Sequence, residues 1–185
     1  MNHPLIIGLT GKAEHGKSAT ARIIREWVQN QSGVCEIVEI SKVIYDLLVE
    51  EGKLPAGLTR DQLSNEQVKM LVEKGHELGE KDRRYWIRKT LSRVNPNADV
   101  VIIPNIRRPE EGDALRERGG IIWRLIRLNK DGSQFVSTTR DPNHPLETLM
   151  DHWSADFYLI NQTGHGALLE QQVVTLYEYV VGLEE

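Results

Sequence analysis

One short stretch constrains the fold of this chain more than any other: GLTGKAEHGKSA, residues 8–19. Gly11 to Ser18 match the spacing G-x-x-x-x-G-K-S, after the apolar run Pro4–Leu9 and before the helix-like sequence TARIIREWV. In a strand, glycine-rich turn and helix of this order, the N–H groups of the turn converge on an anion, and the helix adds its positive N-terminal end. The stretch therefore predicts a loop that holds the phosphates of a nucleoside triphosphate.

Each residue type in this loop has a predicted part in binding. Lys17 would reach the β- and γ-phosphates, and the Ser18 hydroxyl would be a ligand to Mg²⁺, which bridges and neutralises those phosphates. The alternative is a chance glycine-rich turn, which the flanking strand and helix patterns make much less favoured. The predicted nucleotide-binding residues of the loop are Gly11, Lys12, Ala13, Glu14, His15, Gly16, Lys17, Ser18 and Ala19.

The rest of the chain alternates between apolar, β-branched runs and segments with helical period. Runs that are apolar on both faces, such as VVII and IIWRLI, are typical of a parallel sheet covered by helices on each side. We therefore expect a three-layer α/β fold with a parallel sheet of about five strands. The strands are expected at Pro4–Thr10, Val34–Ile40, Ala98–Ile103, Gly120–Leu128 and Asp156–Ile160. The helices are expected at Lys17–Gln29, Lys42–Glu50, Glu66–Gly79, Asp82–Arg93, Pro109–Arg118, Glu147–Trp153 and Ala167–Val181.

Length and charge narrow the class of protein. A chain of 185 residues with 39% hydrophobic residues is expected to form one domain over residues 1–185. A formal charge of −4 argues against a general nucleic-acid binder, and no apolar run is long enough to span a membrane. One cysteine, Cys35, excludes an internal disulfide framework, so a cytoplasmic location is expected.

The segments that would mark other nucleotide-binding classes are missing. A GTPase is expected to carry D-x-x-G, but no aspartate has a glycine three residues later, and NKDG at 129–132 misses N-K-x-D by one place. A motor or transporter ATPase is expected to end an apolar run in aspartate. Here the third run, VVIIPNIRRPEE, ends in Asn105 and then in arginines.

Several arginines are placed near the carboxyl edge of the predicted sheet, where ligands of open α/β folds bind. Arg107 and Arg108 closely follow the third strand, Arg127 ends the fourth, and Arg140 lies in a polar loop. Guanidinium groups around a phosphoryl group in transfer would stabilise its charge. The alternative is that Arg108 pairs with an acidic residue of the next helix and that Arg140 is solvated.

Two further features are candidates for substrate binding. Arg83 and Trp86 belong to a basic and aromatic cluster that could clamp a phosphate or stack a base, although core packing is the favoured role of Trp86. The stretches 51–64 and 129–145 lack strong periodicity, and long loops of this kind often close over a site. We predict a lid-like loop near 129–145.

Taken in order, several segments resemble the phage-type deoxynucleoside monophosphate kinases over nearly the whole chain. The segments are GLTGKAEHGKSATA, ISKVIYDLL, LVEKGHELGEKDRRYW, VVIIPNIRRPEE, GGIIWRLIR and HPLETLMDHWSADFYLINQTG. The resemblance implies a P-loop kinase fold, ATP and Mg²⁺ as cofactors, nucleotide substrates and transfer of the γ-phosphoryl group to a deoxynucleoside monophosphate. It also implies the host cytoplasm if the chain is phage-encoded, and it leaves a homodimer open. Related phosphomevalonate kinases share a similar outline, and a nucleotide-binding sensor without catalysis is the alternative from another class.

The resemblance also implies roles for individual residues. The acceptor-binding region would lie near residues 41–94, with the stretch around Ser41 bordering the site, and Asn161 would lie near the ATP base. The family usually carries an aspartate where this chain has Asn105, which could reach Mg²⁺ only through a water molecule and brings no charge. The residues and the resemblance together predict Lys17, Arg107, Arg127 and Arg140 as catalytic residues. The predicted substrate-binding residues are Ser41, Lys42, Tyr45, Arg83, Trp86, Arg107, Arg108 and Glu147, and the predicted metal-binding residues are Ser18 and Asn105.

Overall fold

The computed structural model describes residues 3–182 and contains a parallel sheet of five strands in the order β2-β3-β1-β4-β5. Isoleucine, valine and leucine dominate the central strands, and every residue of β3 is buried, as expected of a strand covered on both faces. The strands are β1 (Leu5–Thr10), β2 (Cys35–Ile37), β3 (Val100–Ile103), β4 (Ile121–Leu128) and β5 (Phe157–Gln162).

Helices cover both faces of this sheet and give the fold three layers. On one face, α1 and α7 pack over a cluster that includes Ile24, Val173 and Trp123. On the other face, α4 and α5 pack over a cluster that includes Ile87 and Leu115. The helices are α1 (Lys17–Asn30), α2 (Ile40–Glu50), α3 (Asn65–Lys81), α4 (Tyr85–Leu91), α5 (Pro109–Arg116), α6 (Pro145–Thr148) and α7 (Gly166–Gly182), with a 3₁₀ turn at Arg60–Gln62.

The segment between β2 and β3 packs around a smaller apolar cluster of its own. Tyr45 and Leu48 of α2 meet Leu54 and Leu71 there. A capping box at Ser64, whose side chain accepts from the Gln67 N–H group, starts α3. The segment therefore adds a second, smaller apolar core, while its helix α4 packs on the sheet together with α5.

The α/β class and the parallel sheet of five strands are confirmed, but some predicted boundaries are wrong. The second strand ends at Ile37, because Ile40 already begins α2. The helix predicted at Glu147–Trp153 is the single turn of α6. Beyond α6 the backbone forms tighter turns, in which Asp151 N–H donates to Thr148 O and Trp153 N–H donates to Met150 O. The guanidinium group of Arg124 also donates to the carbonyl oxygens of Met150 and Trp153.

The two edges of the sheet differ in how they are closed. The edge strand β2 has only three residues. At the opposite edge, the Gln172 side chain of α7 accepts from Ile160 N–H at 3.2 Å and donates to Ile160 O at 3.1 Å. A side chain thus takes the place that a further strand would occupy. Within residues 3–182, no helix combines the length and apolar character needed to cross a membrane.

Candidate active site

The loop between β1 and α1 depends on glycine at two positions. Gly11 has φ 136° and Gly16 has φ 104°, a region that other residues rarely adopt. A Cβ atom on Gly11 would lie 2.5 Å from the carbonyl oxygen of Leu125, and one on Gly16 would lie 2.6 Å from Nδ2 of Asn161. The loop therefore fits tightly against β4 and β5. The backbone of Leu125 leaves no space for a Cβ atom at Gly11, whereas at Gly16 the end of the Asn161 side chain can move and the positive φ is the requirement.

The Lys17 ammonium group folds back over this loop. Its Nζ atom donates to Gly11 O at 2.7 Å and to Lys12 O at 2.8 Å. Burial and then the nearby positive charge of Arg107 lower the pKa of Lys17 to about 8. The ammonium is therefore charged at neutral pH but destabilised, and an arriving phosphate would favour the charged form.

A cavity of about 470 Å³, which we call the mouth, opens above the loop. It is strongly cationic, because Lys17, Arg107, Arg127 and Arg140 all line it. The single carboxylate in its lining, Glu14, accepts hydrogen bonds from the hydroxyl groups of Ser137 and Thr139. The hydrogen bond from Ser137 leads the causes that lower the pKa of Glu14. The mouth is built to hold an anion of high charge.

Two of these arginines share one carboxylate. Arg107 Nη1 lies 2.9 Å and Arg140 Nη1 lies 3.0 Å from Oε1 of Glu147. The other carboxylate oxygen accepts from the backbone N–H of Ala13 at 2.6 Å. Burial alone would raise the pKa of Glu147, but the hydrogen bonds from Ala13, Arg107 and Arg140 outweigh burial and lower it. Arg140 is therefore paired, which excludes the solvated alternative considered from the sequence.

Arg127 reaches the mouth from the end of β4. It donates from Nη1 to Glu14 O at 3.0 Å and from Nε to Thr163 Oγ1 at 3.4 Å. Its guanidinium carbon lies 3.9 Å from the centre of the Phe135 ring, a cation–π contact. Arg127 is thereby fixed between the loop and the segment 129–145.

The side chain of His15, a residue of the loop, is buried against β4. It is 3% exposed, and its Nδ1 atom lies 3.1 Å from Leu125 O and 3.3 Å from the N atom of Arg127. Burial lowers its pKa, so the ring is neutral near pH 7. Asn161 donates from Nδ2 to His15 O at 3.2 Å. These two predicted nucleotide-binding residues do not line the mouth; their contacts hold the backbone of the loop in place.

The predicted metal-binding residues both line the mouth. Ser18 is at the start of α1, and Asn105 lies two residues after the end of β3. In residues 3–182, no group of three or more histidine, cysteine, aspartate or glutamate side chains is placed to hold a metal ion. Asp99, at the other end of β3, accepts from Val34 N–H and lies away from the mouth. A cation here would depend on the Ser18 hydroxyl and on bound phosphates.

The predicted acceptor residues of α2 line a second cavity of about 620 Å³, which we call the side cavity. Ser41, Lys42 and Tyr45 border it, with Arg25 of α1 and the turn near Leu58 opposite. The Tyr45 hydroxyl donates to Pro55 O at 2.6 Å and accepts from Leu58 N–H at 2.9 Å. The side cavity therefore owes its shape to side-chain contacts within the segment between β2 and β3.

Three predicted substrate-binding residues are engaged elsewhere. Arg83 and Arg108 form ion pairs with Glu80, and Trp86 is buried with its Nε1 donating to Gly75 O at 2.8 Å. Neither the mouth nor the side cavity is lined by any of the three. Arg108 thus pairs with α3 and not with its own helix, where the Glu111 carboxylate accepts the N–H groups of Arg107 and Arg108.

The segment 129–145 supplies contacts that the sequence did not single out. The ring of Phe135 contacts the guanidinium group of Arg127 on β4. The hydroxyl groups of Ser137 and Thr139 donate to Glu14 of the glycine-rich loop. Their signal in the sequence is weak, because each partner is distant along the chain. The segment 129–145 therefore contacts Glu14 of the glycine-rich loop, and its closure over a ligand stays a prediction.

Comparison with known proteins identifies the fold. No protein-family model matches the chain, and no curated protein matches it in sequence. A shikimate kinase from Acinetobacter baumannii in complex with shikimate aligns over 95% of this chain and 94% of its own, with a TM-score of 0.53 and 17% identity. A mutant APS kinase, CysC, from Mycobacterium tuberculosis aligns over 96% and 99%, with a TM-score of 0.50 and 12% identity. The chain has the fold of P-loop small-molecule kinases.

Proposed function

We propose that this chain is an ATP-dependent kinase that phosphorylates a nucleoside monophosphate, above all a deoxynucleotide, to the diphosphate. The observation that carries the proposal is the mouth, where a glycine-rich loop and the side chains of Lys17, Arg107, Arg127 and Arg140 surround one cavity. Two bound anions, the ATP phosphates and an acceptor phosphate, would balance this concentration of positive charge.

The loop and its lysine would hold ATP. The N–H groups of the loop and the N-terminal end of α1 bind the phosphates, and Lys17 exchanges its two carbonyl partners for phosphate oxygens. Ser18 would bind Mg²⁺ directly and Asn105 would do so through water, since both line the mouth. Bound Mg²⁺ would neutralise charge on the β- and γ-phosphates.

Transfer then requires positioning more than acid–base chemistry. An oxygen of the acceptor phosphate attacks the γ-phosphorus, the bond from that phosphorus to the β–γ bridging oxygen breaks, and ADP leaves with the electron pair. The attacking oxygen is already anionic, so no side chain has to remove a proton. The three arginines stabilise the charge of the group in transfer.

The acceptor would extend from the mouth toward the side cavity. Arg107, in the mouth, is our candidate for its phosphate, and the walls near Ser41 and Tyr45 are our candidates for its sugar and base. The segment 129–145 would close over both substrates and limit hydrolysis of ATP. If so, ATP with the acceptor should slow proteolysis within 129–145, and an equal cleavage rate with and without both would contradict this closure.

A nucleotide sensor without catalysis is the second candidate, and Asn105 is the observation that favours it. An amide in place of a carboxylate brings no negative charge to the metal. The paired arginines Arg107 and Arg140, which line the same mouth, favour the kinase, because a sensor of ATP alone has no use for groups that would stabilise a phosphoryl group in transfer.

The deciding experiment measures products by chromatography after the protein is mixed with ATP, Mg²⁺ and each common nucleoside monophosphate. Phosphomevalonate and a mixture without acceptor are run in parallel. A diphosphate formed from one nucleotide identifies the acceptor, and transfer to phosphomevalonate would reassign the substrate class. Lys17→Ala should lower the rate about 1,000-fold or more. Lys81→Ala, at an exposed lysine paired with Glu77, is the matched control and should keep full activity.

If ATP binds but no acceptor is phosphorylated, and Lys17→Ala abolishes that binding, the sensor replaces the kinase as the better interpretation. Failure of ATP to bind at all would overturn both candidates.

A further inference from the structure

The Glu147 carboxylate joins three segments that are far apart in the sequence. It accepts from the Ala13 N–H of the phosphate-binding loop, from Arg107 after β3 and from Arg140 of the segment 129–145. Its side chain is only 2% exposed, whereas the side chains of Arg107 and Arg140 are 25% and 44% exposed. The carboxylate is therefore the buried end of this cluster, and the guanidinium groups face outward.

The cavities show on which side of the cluster the carboxylate lies. Ala13, Arg107 and Arg140 all line the mouth, but Glu147 does not. Glu147 instead lines two smaller cavities, of about 360 and 120 Å³, which share Lys12 and His15 in their walls. The carboxylate thus lies behind the groups that face the mouth and does not occupy the place of a phosphate.

We propose that Glu147 is a positioning residue: its carboxylate holds Arg107 and Arg140 in the orientation that binds the phosphates, and it anchors the loop to them by accepting the Ala13 N–H. This inference rests on the proposed kinase function and replaces the substrate contact that the family resemblance implies for Glu147. A guanidinium group tied at one N–H still has other donors free for a phosphate, so one arginine can serve both partners.

The charge of Glu147 serves a second purpose. Burial disfavours the charged ammonium form of Lys17. The nearby positive charges of Arg107 and Arg140 act in the same sense. Glu147 acts in the opposite sense and raises the pKa of Lys17. Other charged or titratable groups near this cluster are His15 and Lys12, and Lys12 is paired with Asp151. Without the carboxylate, the positive charges of Lys17, Arg107 and Arg140 would repel one another with no anion of the chain between them.

Glu147→Gln tests the inference, because it keeps the shape of the side chain and removes its charge. We expect kcat to fall by about 30- to 100-fold at pH 7, while the KM for ATP changes by less than about threefold. Glu178→Gln, at an exposed glutamate of α7, is the matched control and should leave both constants unchanged. Thermal unfolding of each variant checks that the fold is intact.

Partial rescue by Glu147→Asp supplies a readout that a merely structural role would not give. Glu147→Asp keeps the charge but shortens the reach, so it should recover part of the kcat that Glu147→Gln loses, with the KM for ATP again nearly unchanged. This second variant keeps the test decisive if Glu147→Gln does not fold.

Three outcomes would overturn the inference. An unchanged kcat in Glu147→Gln would leave Glu147 without a positioning role. Tighter ATP binding with faster ATP hydrolysis would mean that the carboxylate competes with the phosphates. A Glu147→Asp variant no more active than Glu147→Gln would contradict the role of the charge, whereas a wild-type chain that binds ATP but phosphorylates no acceptor would instead overturn the proposed kinase.

Discussion

The mouth and the side cavity are both concave and both carry charged residues, yet they are built in opposite ways. The mouth depends on backbone conformation, with glycine at positive φ at Gly11 and Gly16 and a helix beginning at Lys17. The side cavity depends on side chains, such as the Tyr45 hydroxyl that bridges Pro55 and Leu58. A site formed by backbone conformation shows itself in the sequence as a fixed spacing of glycines, whereas a site formed by side-chain contacts shows no such spacing.

The largest expected effect compares two glycines with positive φ, one in each region. Gly11→Ala places a methyl group 2.5 Å from Leu125 O at φ 136°, so we expect a loss of unfolding free energy of about 3 kcal/mol. Gly57, near the side cavity, has φ 83° with open space around it, so Gly57→Ala should cost only about 1 kcal/mol. Urea unfolding of both variants measures the difference, and equal losses would contradict the tight fit of the loop.

Next in size is removal of the hydroxyl group that shapes the side cavity. Tyr45→Phe leaves Pro55 O and Leu58 N–H without that partner and should cost about 1–2 kcal/mol of stability. If the side cavity binds the acceptor, the KM for the acceptor should rise while the KM for ATP stays constant. Tyr179→Phe, at an exposed ring of α7, is the control. A rise in both KM values would show that the two regions are not independent.

The next prediction concerns the mouth, where ATP binding should depend on pH, and has no counterpart in the side cavity. Burial and Arg107 lower the pKa of Lys17 to about 8, and bound phosphate favours the charged ammonium. ATP affinity should therefore fall by up to about tenfold per pH unit as the pH rises above 8. Calorimetry in two buffers of different ionisation enthalpy should detect proton uptake on binding near pH 8.5. Lys17→Arg, which stays charged, should abolish this pH dependence even if it binds ATP less tightly.

The smallest expected effect concerns the metal. Asn105→Asp adds a carboxylate to a mouth whose one lining carboxylate, Glu14, is already hydrogen-bonded by Ser137 and Thr139. We expect half-maximal activity at a Mg²⁺ concentration lower by about threefold. An unchanged Mg²⁺ titration would remove residue 105 from the surroundings of the metal. The side cavity should not respond, so the acceptor KM should stay the same.

The sequence predicted best what is specified locally. The loop, its two glycines and the alternation of strands and helices follow from short-range spacing, and the fold class is confirmed. The tightness of the loop could not be predicted, because it comes from Leu125 and Asn161, more than 100 residues later.

Long-range contacts also explain what the sequence missed. The helix predicted through Trp153 ends at Thr148 and continues as turns. The carbonyl oxygens of Met150 and Trp153 accept from Arg124, a residue of β4 more than 20 positions away, which no spacing rule reveals. The Ala13–Glu147 hydrogen bond joins residues 134 positions apart, so no spacing rule reveals it. Trp86 could have been stacked on a ligand or packed in the core, and only the direction of its ring, toward Gly75, decides for packing.

The Gln172 side chain at the edge of the sheet bears on how copies of this chain behave at high concentration. By occupying both the N–H and the C=O of Ile160, it saturates the middle of an edge strand that would otherwise be a template for strand addition. The opposite edge strand, with its three residues, offers too short a template. Growth of the sheet from molecule to molecule would first have to break the contacts of Gln172, so the fold carries its own protection against edge-to-edge aggregation.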